Sequence, residues 1–253
     1  MALVSSVSSA KGGSGKSTTS MNLAVSLAKL GRDVTVIDTN LSTPYLSMYL
    51  GAPHVPVTLH HVLKGEASIN EAVYEHQSGA KIIPGSISMR DFNELNLEDL
   101  RHHLPKLKSD IILLDGAPGL DREAQASIKL ADEVLVVTTP ELPSVAQSLK
   151  TLKVAQNLGK TITGVVLTRA GHDLDLKIRN IQTILEHPVI GVVPEDPYIK
   201  RALIKREPVT YVYPDAPSSR AYHKLALYLT GHETHSEEIT GFYKFLNWTF
   251  GKR

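Results

Sequence analysis

Between residues 9 and 18 the chain reads Ser9-Ala10-Lys11-Gly12-Gly13-Ser14-Gly15-Lys16-Ser17-Thr18, two lysines enclosing small residues, with hydroxyls following. Glycines let successive backbone N–H groups turn inward on an anion, and a helix opening near Lys16 adds its partial positive charge at the same point. A lysine so placed reaches the β- and γ-phosphates of a nucleotide, and the serine after it ligates Mg²⁺. Gly12, Gly13, Ser14, Gly15, Lys16, Ser17 and Thr18 therefore read as a phosphate cradle. The strict form of this loop has glycine five positions before Gly15, where this chain has Ala10. Two acids complete the set. Asp115 closes the apolar run Ile111-Ile112-Leu113-Leu114 and precedes Gly116-Ala117-Pro118-Gly119, and Asp38 closes Val34 to Ile37 and precedes Thr39-Asn40. An idle charge at the end of a buried strand is costly, so Asp115 is read as a working carboxylate.

The elements that must position these residues are legible as alternating patterns. Apolar, β-branched runs at Leu3 to Val7, Val34 to Ile37, Ile111 to Leu114, Val134 to Val137, Ile162 to Leu167 and Val189 to Val193 read as parallel strands buried on both faces. Helix-length segments with spaced apolar residues lie between them, at Lys16 to Leu30, Glu123 to Leu130, Ser144 to Leu158 and Leu174 to Leu185. The alternation predicts an α/β fold with a doubly wound, mostly parallel sheet, whose ligands sit at the carboxyl ends of the strands. Gly31 and Gly159 stand where left-handed residues close helices. Gly51 to Leu107, punctuated by Pro53, Pro56, Pro84 and Pro105, reads as an insertion in that domain.

Composition removes several function classes. The chain has no cysteine, which excludes disulfides, thiol nucleophiles and cysteine-ligated zinc or iron–sulfur clusters. With 27 Lys+Arg against 26 Asp+Glu there is no broad positive field to drive nucleic-acid binding. The first ten residues lack the basic start and long apolar core of a secretory signal, and no window approaches the roughly 20 apolar residues of a membrane span. The expected location is therefore cytoplasmic, with any membrane contact peripheral and on the inner face of the cell membrane.

The form Lys-Gly-Gly-x-Gly-Lys-Ser resembles the deviant phosphate loop of the MinD/ParA family of ATPases, and most of the chain is similar to the MinD branch. The resemblance implies a P-loop NTPase fold of the SIMIBI type, ATP and Mg²⁺ as cofactors, and a homodimer in the ATP state in which Lys11 reaches the partner's nucleotide. It makes Asp115 and Gly119 the second switch, with Asp115 holding a Mg²⁺-bound water, and makes Ser17, Asp38 and Asp115 the metal-site residues. Asp38-Thr39-Asn40 matches the family's first switch, Asp-x-Asp, except that its second acid is Asn40. An asparagine orients water but accepts no proton, so slow hydrolysis is expected. The stretch ending Pro194, Glu195 and Asp196 corresponds to the family's adenine-binding loop. Thr168-Arg169 stands where relatives carry asparagine and a basic residue, leaving Thr168 a single hydroxyl for the base.

The C-terminus differs in composition. Three of the four phenylalanines and the only tryptophan fall in the last twelve residues. On a helix, Ile239, Phe242, Tyr243, Phe245, Leu246 and Phe250 share one face with Trp248 at its edge, while Lys244, Lys252 and Arg253 supply cations for anionic head groups. The reading divides the chain into an ATPase domain over 1–230, a polar linker over 231–238 and an amphipathic membrane-targeting helix over 239–253, which resembles the tail of MinD proteins. A helix folded back on the domain is the alternative. The expected function is a nucleotide-gated membrane cycle that positions division or other machinery, with an activating or cargo protein the sequence does not identify. A ParA-type partition ATPase and a nearly inactive ATP-dependent scaffold are the rivals. His60-His61, His102-His103 and the pair His232 and His235 read as ordinary histidines rather than metal ligands, and Lys200, Arg201, Lys205 and Arg206 as a solvated helix face.

Overall fold

The computed structural model describes residues 2–51, 55–88, 95–172 and 175–232. The tail positions Ile239, Phe242, Tyr243, Phe245, Leu246, Trp248 and Phe250 lie outside the described residues, as do residues 233–238 of the linker.

The described chain builds one eight-stranded sheet from β1 (Leu3–Ser9), β2 (Val34–Asp38), β3 (Tyr74–Glu75), β4 (Lys81–Ile83), β5 (Ile111–Pro118), β6 (Glu133–Thr138), β7 (Thr161–Ala170) and β8 (Val189–Pro194). Its order is β3-β4-β2-β5-β1-β6-β7-β8, and every neighbouring pair is parallel except β3 with β4. The sheet thus sits with β1 inside, between β5 and β6, and the loop leaving β1 opens at the middle of the carboxyl edge.

Helices cover both faces because successive strand residues point to opposite sides and both sides are apolar. On one face Val34, Val36, Leu113, Leu135, Val137 and Val166 pack with α1 (Lys16–Lys29) and α8 (Pro217–Leu229) through Met21, Val25, Tyr222 and Leu225. On the other, Ile37, Ile112 and Leu114 meet α2 (Leu59–Leu63) and α3 (Arg122–Leu130), while Val134, Val136, Val165 and Val189 meet α4 (Leu142–Asn157) and α5 (Ile178–Leu185). Two further helices, α6 (Pro197–Ile204) and α7 (Val209–Val212), lie between β8 and α8. Gly31 closes α1 with φ 78° and Gly159 closes α4 with φ 69°.

Three sequence expectations need correcting. The segment Gly51 to Leu107 is more than an insertion, since β3 and β4 extend the sheet beyond β2. The helix expected from Leu174 begins at Ile178, because Asp175 Oδ2 accepts the N–H groups of Gly171 (2.7 Å) and His172 (2.9 Å) and so closes a turn instead. Lys200 and Arg201 do lie exposed on a helix, but α6 ends at Ile204, so Lys205 and Arg206 follow it.

Candidate functional site

The loop from Ser9 to Gly15 leaves β1 and enters α1 with Gly13 at φ 77° and Gly15 at φ 82°, left-handed conformations that glycine adopts without strain. A β-carbon on Gly12 or Gly13 would meet nothing within 4 Å, so the backbone stands open to a ligand there. No side chain caps the start of α1, and its first turn carries no acid. Its free N–H groups and dipole are therefore left to an anion. Ser14 is buried, and its Oγ has no partner among the described residues.

Lys16, first residue of α1, donates from Nζ to Asp115 Oδ1 at 2.8 Å; the two side chains are 6% and 1% exposed. Ser20, one helical turn on, donates its hydroxyl to the same oxygen at 3.1 Å. Asp115 and Asp38 are register partners on the adjacent strands β5 and β2, which sets two fully buried acids side by side. Burial, and next the charge of Asp115, push the Asp38 carboxyl well above the usual range, against the pull of backbone N–H donors. Paired carboxylates beside a lysine and an adjacent serine, Ser17, are the oxygen-rich set a hard divalent cation takes. The residues present fit a Mg²⁺–nucleotide: glycine cradle, orphan serine, lysine and acids converge on one strand edge.

The segment after Asp38 is held by side chains. Asn40 N–H reaches Asp38 Oδ1 (3.3 Å), Tyr45 and Leu46 donate to Asp38 Oδ2 (2.7 and 2.8 Å), and Thr43 N–H reaches Asn40 Oδ1 (3.3 Å). The Asn40 amide nitrogen donates to Thr43 O (2.8 Å) and Thr43 Oγ1 (2.9 Å), so both ends of that side chain are engaged within its own turn. Thr39 ties this strand end to its neighbour, donating N–H to the Asp115 carbonyl at 3.1 Å and Oγ1 to it at 3.0 Å. Gly119, at φ 97°, donates its N–H to Ser9 O at 2.9 Å and so fastens the residue after β5 to the start of the phosphate loop.

Other residues singled out from the sequence take different positions. Thr168, at the end of β7, donates its hydroxyl to Ser14 O at 2.6 Å and lies 3.5 Å from where a β-carbon on Gly15 would stand. It thus supports the underside of the phosphate loop; the expectation that it reads a base is not what its hydroxyl does here. Arg169 is exposed at φ 52° with its Nε 4.0 Å from Glu195, while Pro194, the last residue of β8, is buried. Asp196 caps α6 by accepting Tyr198 N–H (2.9 Å) and takes Ser218 N–H and Oγ on α8 (3.0 and 2.7 Å), so its side chain is structural. Lys11 is exposed on the loop, Thr18 half-buried behind it. Among the described residues there is no group of three or more His, Cys, Asp and Glu that could hold a metal ion. Ser20 and Thr39 were missed by sequence reading; Ser20 had a signal, lying four residues after Lys16 on the same helix face.

Residues 5–209 match the nucleotide-binding domain of the CobQ/CobB/MinD/ParA family. An ATP-binding protein of Methanocaldococcus jannaschii, itself uncharacterised, is 36% identical over 260 residues, covering 100% of this chain and 98% of its own. The cell division ATPase MinD of Pyrococcus furiosus superposes with TM-score 0.87 at 32% identity, covering 92% of this chain and 100% of that one. The septum site-determining protein MinD of Pyrococcus horikoshii, solved as its complex with Mg-ADP, superposes with TM-score 0.86 at 30% identity, covering 96% and 99% of the two chains.

Proposed function

This chain belongs to the CobQ/CobB/MinD/ParA family of nucleotide-binding proteins, and from that premise we propose that it is a MinD-like ATPase that dimerises around ATP and Mg²⁺ and docks reversibly on a membrane. The observation that carries the reading is the buried contact of Lys16 with Asp115 beneath the glycine loop, with Asp38 alongside. Mg²⁺ held there would supply positive charge to offset that of the phosphates. Around it Lys16 binds the phosphates, Ser17, Asp38 and Asp115 hold the metal or its waters, and Asn40 orients the attacking water. Lys11, free on the loop, reaches the nucleotide of a second copy. Pro194, Glu195 and the Asp196 backbone border the base.

The tail supplies the membrane contact in this reading. A helix of about 13 residues, roughly 20 Å long, lies along a bilayer rather than across it. One such anchor holds weakly, and two on one dimer act at high effective concentration, so ATP gates the attachment through dimerisation. The cargo is division or other positioned machinery. No helix among the described residues is long and apolar enough to cross a membrane.

A second reading rests on one observation: position 40 offers no carboxylate, and its amide is engaged with Thr43. The dimer would then be long-lived, and recruitment would matter more than turnover. Co-sedimentation tests both. The full chain and a chain ending at His232 are mixed with anionic liposomes or duplex DNA, in Mg²⁺ with a non-hydrolysable ATP analogue or ADP. The full chain should pellet with liposomes only with the ATP analogue, and the shortened chain with neither nucleotide. Pelleting with DNA instead would identify a ParA-type partition activity, and lipid binding that ignores nucleotide would refute gating. Retention of bound nucleotide through purification would favour the scaffold reading over steady turnover.

A further inference from the structure

We propose that Glu123 is a positioning residue for hydrolysis, fixing the turn that carries Asn40 from the opposite switch; this rests on the ATPase reading above. Glu123 occupies the first turn of α3, directly after the second-switch residues Asp115 to Gly119. Its Oε1 accepts the N–H groups of Leu41 and, at 3.1 Å, Ser42, while Oε2 accepts the Ser42 hydroxyl at 2.8 Å. The Leu41 peptide is held on its other side too. His60 Nδ1 takes the Ser86 N–H at 3.0 Å, which leaves the ring proton on Nε2, 3.2 Å from the Leu41 carbonyl.

Taken with the Asp38 and Asn40 contacts, every backbone N–H from Asn40 to Leu46 ends on a side-chain oxygen, Pro44 having none to give. Within that set Glu123 alone comes from beyond the turn. The capping need of α3 does not explain it, because Asp121 already accepts Ala124 N–H at 2.9 Å. Asn40 cannot orient water independently of its turn, since both ends of its amide are fastened to Thr43. Thr39 fixes the strand end against the Asp115 carbonyl, and from there how Glu123 holds Leu41 and Ser42 sets the course of the turn and with it the Asn40 side chain. Misplacing a water-orienting group by about 1 Å is enough to slow a reaction up to a hundredfold.

The test compares wild type, Glu123→Ala and Glu123→Gln by amide hydrogen exchange, Mg-ATP affinity and single-turnover hydrolysis. In Glu123→Ala, exchange of peptides covering 40–46 should quicken about tenfold while those from α4 and α8 stay unchanged. Hydrolysis should slow about tenfold, with ATP affinity within about twofold of wild type. Glu123→Gln keeps the reach and one acceptor oxygen, and should recover part of both protection and rate. Unchanged exchange over 40–46 in Glu123→Ala overturns the clamp, as does an unchanged rate in a protein whose wild type turns over. If wild type binds no ATP, the ATPase reading fails and Glu123 positions nothing for hydrolysis, whatever the exchange shows. If it binds ATP but does not turn over, nucleotide binding stands while the positioning role of Glu123 in hydrolysis is overturned.

Discussion

Lys16 and Asp115 satisfy each other in the interior, and the energetic weight of that pair lies in what happens when one partner goes. Removing one member of a buried ion pair strands the other charge at a cost of about 3–5 kcal/mol. Lys16→Ala should therefore lower the unfolding free energy by roughly 3 kcal/mol in urea titration, in addition to abolishing ATP binding. Lys16→Ala combined with Asp115→Ala should recover part of that stability and none of the binding; an undiminished stability in the single variant would contradict the buried pair. Asn40→Asp is the complementary test. A carboxylate cannot donate to the Thr43 carbonyl as the Asn40 amide does, so while one oxygen can still accept the Thr43 N–H, the other is released as a proton acceptor. Single-turnover hydrolysis should rise about tenfold; an unchanged rate removes position 40 from the mechanism. At this scale the phosphate loop was legible because its residues are contiguous and their types are dictated by backbone geometry. Glu123 was not, because it meets Leu41 and Ser42 across more than eighty positions and nothing in local spacing points to such a contact.

The elements were legible where a period ran long enough to assert itself. All six apolar strand runs and the α1, α3 and α4 helices appear where the pattern put them, within one or two residues at most ends. β3 and β4, at two and three residues, are too short to carry an alternation, and only their pairing beside β2 makes them strands. Pro197 and Pro217 stand at the first positions of α6 and α8, where the missing N–H costs nothing. One glycine carries an element-scale prediction. Gly164, in β7 at φ 151°, faces Ile190 of β8 so closely that an added β-carbon would lie 2.6 Å from Cγ2. Gly164→Ala should cost about 2 kcal/mol through strain and crowding. In a domain of this size that lowers Tm by roughly 4–8 °C. An unchanged melting temperature would mean that β7 and β8 are spaced more loosely than described.

Over the whole molecule, the three apolar clusters are filled by residues from Val4 to Leu229, and α8 closes with Gly231 N–H on the Tyr228 carbonyl and His232 N–H on the Leu227 carbonyl. A chain ending at His232 keeps these bonds. It should melt at the temperature of the full chain and bind Mg-ATP equally well, and a large loss of stability would mean that the tail folds back onto the domain. The resemblance seen in the phosphate loop extends to the whole architecture, because a doubly wound sheet leaves one central strand end at which such a loop is useful. Nucleotide joining two copies is the step on which gated attachment depends. Sedimentation velocity of the full chain in Mg²⁺ with a non-hydrolysable ATP analogue measures that directly. A species of twice the 27.6 kDa chain mass is expected, reverting to the single chain with ADP and failing to form in Lys11→Ala. A chain that stays monomeric with saturating analogue bound would contradict it.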